Sequence, residues 1–153
     1  MKALELKIPP VLLFALFVAA AYGLARAVPA LGLPLPGAKV AAAALAFSGA
    51  GIALAGVAAF RKARTTVNPH RPDNSSAVVS GGVYRWTRNP MYLGLLLLLA
   101  AWGLYLSHAT TALLLPAFVA WMNRFQIEPE ERILTKKFGP AFTDYMTCVR
   151  RWL

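Results

Sequence analysis

Apolar residues run along this chain in blocks, not in the alternating or one-faced patterns of a soluble domain, and the blocks predict four helices. Val11 to Ala25 carries no charge, and counted from Pro9 it reaches about 25 Å as a helix, enough for a tilted or locally thinned crossing. Pro9 and Pro10 suit its first turn, where a missing N–H costs nothing. Val40 to Phe60 is uncharged throughout and spans about 30 Å. Met91 to Leu106 and Ala109 to Met122 are shorter and are joined by little more than Ser107 and His108, which predicts a helical hairpin. Extending these two back to Trp86 and on to Ile127 brings each to about 30 Å, with Arg88 and Arg124 at the same membrane face. Pro116 falls inside the fourth helix, where a bundle tolerates a kink.

Small residues in the second block recur at spacing four: Ala42, Ala46 and Ala50; Gly49 and Ala53; Gly51, Ala55 and Ala59. That pattern lets a neighbour approach closely and predicts a helix enclosed by the bundle. Gly49, Gly51 and Gly56 do not read as a nucleotide loop, because no strand precedes them. The first block has a competing reading as a cleaved signal, since Lys2 and Lys7 precede it and Ala25-Arg26-Ala27 resembles a cleavage box. The proline pair and the arginine inside the box count against it, and for residues 1–30 both readings stay open.

With 58% hydrophobic and 14% charged residues among 153, the chain is too apolar for an ordinary soluble domain, and the excess must face lipid. Its net charge of +10 comes with long charge-free stretches, which excludes a nucleic-acid-binding module. Fourteen of the sixteen Lys and Arg residues lie before the first block, between the second and third, or after the fourth; only Arg26 and Lys39 lie elsewhere. The positive-inside rule then predicts four crossings, with both termini and the loop from Arg61 to Asn89 cytoplasmic. His108 falls at the outer hairpin tip and is expected to be solvated. One cysteine, Cys148, and two distant histidines, His70 and His108, give no internal disulfide and no metal site.

The acids are concentrated. Glu128, Glu130 and Glu131 directly follow the fourth block, and Arg124, Glu128 and Glu131 are spaced to share one helix face, with Asn123 and Gln126 nearby. Pro129 bends that helix or restarts it with Glu128 at its entrance. An interfacial salt-bridge cluster is the plain reading, although ionisable groups at a membrane rim are seldom idle. Glu130 to Phe138 predicts a short helix stopped by Gly139-Pro140. A second helix follows, with Phe142, Tyr145, Met146 and Val149 on one stripe, lying in the interface or capping the bundle. Arg150 and Arg151 suit lipid headgroups or a ligand carboxylate. The middle loop is rich in turn residues and needs a partner to become ordered; its Asn74-Ser75-Ser76 sequon is a chance match on a cytoplasmic face.

Arg88-Asn89-Pro90-Met91-Tyr92-Leu93-Gly94 at the start of a membrane helix, followed by Glu130-Glu131 after the next, resembles the integral-membrane methyltransferases. These include isoprenylcysteine carboxyl methyltransferases and phosphatidylethanolamine N-methyltransferases. The ending Phe138-Gly139, Tyr145, Val149, Arg151-Trp152 is similar to that superfamily. Thr65-Thr66-Val67-Asn68-Pro69 and Ser80-Gly81-Gly82-Val83-Tyr84-Arg85 resemble its bacterial members, so the resemblance implies a bacterial inner membrane. Asn89 stands where isoprenylcysteine enzymes usually have His, and Phe142 where a tyrosine is common.

The resemblance implies an all-α integral membrane bundle of four transmembrane helices with a cytoplasmic loop and C-terminal interfacial helices, forming one structural domain. Residues 1–60 would supply two N-terminal spans and residues 61–153 the cofactor-binding region. It implies S-adenosylmethionine as cofactor and a small lipophilic acceptor, either an isoprenylcysteine-like carboxylate or a phospholipid-like amine, with membrane lipids as the remaining partners. Asn89, Pro90, Met91, Tyr92, Gly94, Glu130 and Glu131 are the expected cofactor residues, and Arg151 and Glu131 the expected catalytic ones. Backbone N–H groups near Met91 to Gly94 would meet the cofactor carboxylate at a positive helix end, and Arg151 would pair with a carboxylate of cofactor or substrate. A non-catalytic membrane protein that keeps the pocket as a structural relic is the alternative; a transporter fits less well, lacking mid-membrane ionisable residues and an inverted repeat.

Overall fold

The computed structural model describes residues 4–63 and 78–153. Among them every regular element is helical: α1 (Pro10–Ala27), α2 (Ala38–Lys62), α3 (Pro90–Leu106), α4 (Thr111–Trp121), α5 (Glu128–Phe138) and α6 (Pro140–Cys148). The Thr65-to-Pro69 motif, His70 and the Asn74 sequon lie outside the described residues.

Two helices, α1 and α2, are long and apolar enough to cross a membrane, and α3 is a shorter apolar helix of 17 residues. Proline occupies the first turn of α1, α3, α5 and α6, where its fixed φ helps and its missing N–H is not needed. The third helix therefore starts at Pro90 and not at Trp86; Asn89 before it is held off helical geometry by the proline ring. Gly139, at φ 53°, ends α5 in the left-handed region and lets Pro140 open α6 at once.

The central helix is α3, which touches α1, α2 and α4. Its closest approach is to α2. Gly49 and Gly94 face each other, and a Cβ on Gly94 would come within 2.6 Å of the Gly49 carbonyl oxygen. Ala38, Ala42, Gly49 and Gly56 are the buried residues of α2, while Val40, Phe47 and Leu54 point outward and are 69–81% exposed. The expectation that α2 is enclosed is thus corrected. Its small residues serve one seam with α3, and its remaining surface is left for lipid. On the other side of α3, Leu13, Tyr92, Leu99, Phe118, Met122 and Ile127 form the core, with Phe17 meeting Phe118 edge to face at 5.4 Å.

His108 is also corrected: it is 7% exposed, not solvated. One ring nitrogen lies 2.8 Å from Thr110 Oγ1 and the other 3.0 Å from the Val28 carbonyl, so the ring ties the end of α1 to the α3–α4 turn. The Leu33 N–H donating to the Ser107 carbonyl and the Ala109 N–H to that of Leu31 complete this closed end.

Between α4 and α5 the chain stays helical but widens into a π turn over Met122–Ile127. Pro129 causes it: having no N–H, and with a ring that crowds the carbonyl four residues back, it cannot continue an α-helical ladder. The sequence left open whether Pro129 bends the helix or restarts it; the chain instead runs on in helical geometry through the π turn, and α geometry resumes at Glu128.

Candidate functional site

The site is built where three segments meet at the end of the bundle opposite His108. The first is the turn before α3. The Arg88 N–H donates to the Arg150 carbonyl at 2.9 Å. The Asn89 side chain, instead of capping α3, donates through Nδ2 to the Arg151 carbonyl at 2.9 Å, joined there by Thr87 Oγ1 at 3.2 Å. The C-terminal tail is thereby pinned along the start of α3. Trp152 fixes it further by donating from Nε1 to Asn123 Oδ1 at 2.9 Å.

Arg88 is the hub of this arrangement. Its Nη1 donates to the carbonyls of Met146, at 2.9 Å, and Val149, which lie at the open end of α6 where carbonyls lack helical partners. Its Nη2 donates to Glu131 Oε1 at 2.8 Å. The same carboxylate takes a two-point contact from Arg151, with Nη2 to Oε2 at 2.6 Å and Nε to Oε1 at 3.2 Å. Glu128 completes the cluster, 3.8 Å from Arg151 and 3.6 Å from Arg124. Sequence spacing placed Arg124, Glu128 and Glu131 on one face, and they form one chain of ion pairs: Arg124 meets Glu128, and Arg151 bridges Glu128 to Glu131.

Glu130 has different company. Its Oε1 accepts from the Tyr92 hydroxyl at 2.6 Å and from Gln126 Nε2, both neutral donors. Among the described residues no Lys or Arg pairs with it. Packing away from water pushes its carboxyl up to about 7, and the neighbouring Glu131 charge adds to this; the hydrogen bonds from Tyr92 and Gln126 oppose it. The Tyr145 hydroxyl donates to the Tyr84 carbonyl at 2.7 Å. Burial raises the Tyr84 hydroxyl well above its ordinary range, and pushes Tyr145 up to about 12 against the opposing charge of Arg88.

Between these groups lies a cavity of about 100 Å³ that opens into a wider mouth. Asn89, Met91, Tyr92, Glu130 and Glu131 line it, as do the rings of Phe60, Tyr84, Phe138, Phe142 and Tyr145. Tyr92 and Glu131 therefore share one cavity. Three of the residues expected here are placed otherwise. Gly94 is covered by Gly49 and Ala53, so its close approach is to α2 and not to a ligand. Pro90 is buried at the head of α3. Arg151 is not among the residues lining the cavity; it meets the site through its ion pairs with Glu131 and Glu128 and through its carbonyl, which accepts from Asn89.

Sequence reasoning missed Arg88 and Gln126 as site residues. Gln126 stands four residues before Glu130, a spacing that pointed to it. Arg88 opens the motif that carries the resemblance, but its role as hub was hidden because its partners lie 43 to 61 residues away. Arg88 Nε, like Thr111 Oγ1 at the far end of the bundle, is buried without a hydrogen-bond partner among the described residues. The site thus presents to an aromatic-lined space a carboxylate that no cation among the described residues pairs with.

Three comparisons bear on this geometry. A family model described as phospholipid methyltransferase matches residues 38–141. An uncharacterized protein of Haemophilus influenzae is 46% identical over 63 residues, which is 41% of this chain and 100% of that relative. No solved structure matches. The family match takes in α2 to α5 and with them Arg88, Tyr92, Gln126, Glu130 and Glu131, and the chain belongs to the phospholipid methyltransferase family, a membrane methyltransferase by class.

Proposed function

We propose that this protein uses S-adenosylmethionine to methylate the amine of a lipophilic acceptor at the cavity between Tyr92, Glu130 and Tyr145. The observation that carries the reading is Glu130: a carboxylate in an aromatic-lined cavity, held by two neutral donors and paired with no cation among the described residues. Such a group is complementary to a positive charge brought by a ligand. The lining fits the cofactor's sulfonium, which matches the Glu130 carboxylate and the surrounding rings. When bound, the cofactor supplies a methyl group activated on positively charged sulfur.

The chain's own residues then do three things. Phe60, Tyr84, Phe138, Phe142 and Tyr145 exclude water and leave room for a small cationic group. Tyr92 and Gln126 orient Glu130. With its carboxyl near 7, Glu130 is suited to take the proton that an ammonium acceptor must lose before it attacks. A carboxylate acceptor has less to hold it, since Arg151 and two donors of Arg88 are already engaged with Glu131 and the tail. Glu131 and Arg151, expected as catalytic, are read instead as the frame that closes the tail over the site.

In the membrane we read four crossings. The chain from Thr111 to Ile127 is continuous and spans about 25 Å, and α3 is about as long. The start of α1 meets the end of α4 through Glu5 and Arg124, while the end of α1 meets the α3–α4 turn, as alternating crossings require. The distribution of Lys and Arg supports a cytoplasmic position for the site, and we take the membrane to be the bacterial inner membrane that the resemblance implies.

The test is incubation of the purified protein with lipid extract and methyl-labelled S-adenosylmethionine, followed by mass spectrometry. Label on a lipid amine that survives mild base supports the reading. Label released by mild base marks a methyl ester and overturns the amine assignment. No heat of binding with the cofactor and no labelled product would favour the non-catalytic alternative.

A further inference from the structure

Pro129 leaves a debt that another part of the chain settles. In an unbroken α-helix the N–H of residue 129 would satisfy the Phe125 carbonyl, but proline has none. The Phe125 carbonyl instead accepts the Leu6 N–H at 2.9 Å, from the segment that precedes α1. Leu6 holds this position at φ 57°, a left-handed geometry that a branched side chain rarely adopts. Beside it, the Glu5 carboxylate reaches Arg124 at 3.4 Å and also pairs with Arg132. Ile8, next along, packs on the core that contains Tyr92, Met122 and Ile127.

These contacts bracket the site. Arg124 lies within the π turn, two residues before Gln126, and Arg132 directly follows Glu131. A π turn is a one-residue widening, and its relaxation to α geometry would rotate Gln126 relative to Glu130 and turn Glu131 away from Arg88. Arg124 and Arg132 are 45% and 55% exposed in their side chains, so their pairs with Glu5 contribute little to overall stability. What they fix is register.

We propose that Glu5 and Leu6 form a strap that locks the Met122–Ile127 π turn, making Glu5 a positioning residue for Gln126, Glu130 and Glu131. The proposal rests on the methyltransferase reading only for its kinetic consequence. The geometry it invokes is present without any ligand.

Full-length protein carrying Glu5→Arg, Arg132→Glu or both tests it, with two readouts beside a thermal melt. The first is the infrared carboxyl band of Glu130 in the ligand-free protein, followed with pH and assigned by its loss in Glu130→Gln. Tyr92, Tyr84, Gln126 and Glu131 face this group, and their arrangement sets its midpoint. The second is the affinity for S-adenosylmethionine by calorimetry. Glu5→Arg should melt within a few degrees of wild type yet shift the Glu130 midpoint and weaken cofactor binding about tenfold. Combining it with Arg132→Glu should bring the affinity back to within about threefold and restore the midpoint. A folded Glu5→Arg protein with an unchanged Glu130 midpoint overturns the strap, as does failure of the paired substitution to restore it. If Glu5→Arg does not fold, Glu5→Gln is read the same way, with Glu5→Asp as the rescuing variant. A wild-type protein that binds no cofactor overturns the methyltransferase reading instead, and the infrared midpoint still decides the strap.

Discussion

Glu130→Gln should make this protein more stable above neutral pH while removing its function. The carboxyl is raised from an ordinary 4.5 to about 7, chiefly by packing away from water. The folded chain therefore holds the Glu130 proton up to a higher pH than the unfolded chain does. Between about 4.5 and 7 the native state binds more protons, so stability falls as pH rises through this window and the loss is complete above it. A shift of that size corresponds to about 3 kcal/mol at most, at 1.36 kcal/mol per unit. Glu130 retains some exposure, and screening brings the expected figure to about 2 kcal/mol.

A glutamine at this position keeps an oxygen to accept from Tyr92 and Gln126 but has no charge to desolvate. Unfolding of detergent-solubilised protein should show the variant about 2 kcal/mol more stable at pH 8.5, with the gap falling below about 1 kcal/mol at pH 5.5. Calorimetry on the same samples should show wild-type affinity for S-adenosylmethionine rising with pH through neutrality, as Glu130 ionises, and a flat, weaker affinity for the variant. Parallel stability profiles for the two proteins would refute the assignment of a lone, desolvated carboxylate. Wild-type and equal cofactor affinity in the variant would refute its role in binding a cation.

Other substitutions separate the parts of the structure. Glu131→Gln leaves Arg88 and Arg151 side by side without the carboxylate that joins them, and should cost about 2 to 3 kcal/mol in the same unfolding assay, the partial exposure of Arg151 reducing the usual loss for a buried pair. Gly94→Val drives a side chain into the Gly49 backbone and should lower stability by 2 kcal/mol or more, about the cost of overpacking. Tyr145→Phe loses the bond to the Tyr84 carbonyl and should cost about 1 kcal/mol in unfolding. His108→Ala removes two hydrogen bonds at the far end of the bundle, and should destabilise by about 1 to 2 kcal/mol while leaving calorimetric affinity for the cofactor unchanged.

Local features were legible and non-local ones were not. The apolar blocks gave α1 to α4 because burial in lipid demands unbroken runs, and Gly139-Pro140 gave the stop between α5 and α6 because the left-handed turn there needs no side chain. The expected stripe of Phe142, Tyr145, Met146 and Val149 holds in part: Phe142 is buried on α6, but the helix ends at Cys148 and Val149 is extended. Small residues in α2 announced a close neighbour but not how many, so one seam with α3 was read as full enclosure. His108 was misplaced because its partner, the Val28 carbonyl, lies 80 residues away.

The acidic cluster shows why such distances matter for chemistry. Three carboxylates within four residues look alike in sequence, yet their surroundings divide them. Glu128 stays 39% exposed in its side chain and meets arginines at long range, while Glu131 is closed between Arg88 and Arg151. Glu130 alone of the three has no described cation as partner and is held by Tyr92 and Gln126. A carboxylate left without its own cation is costly to fold around, and that cost is what gives it affinity for a positive charge arriving with a ligand. The proline beside it, which opens the turn, creates the need for a strap at Leu6.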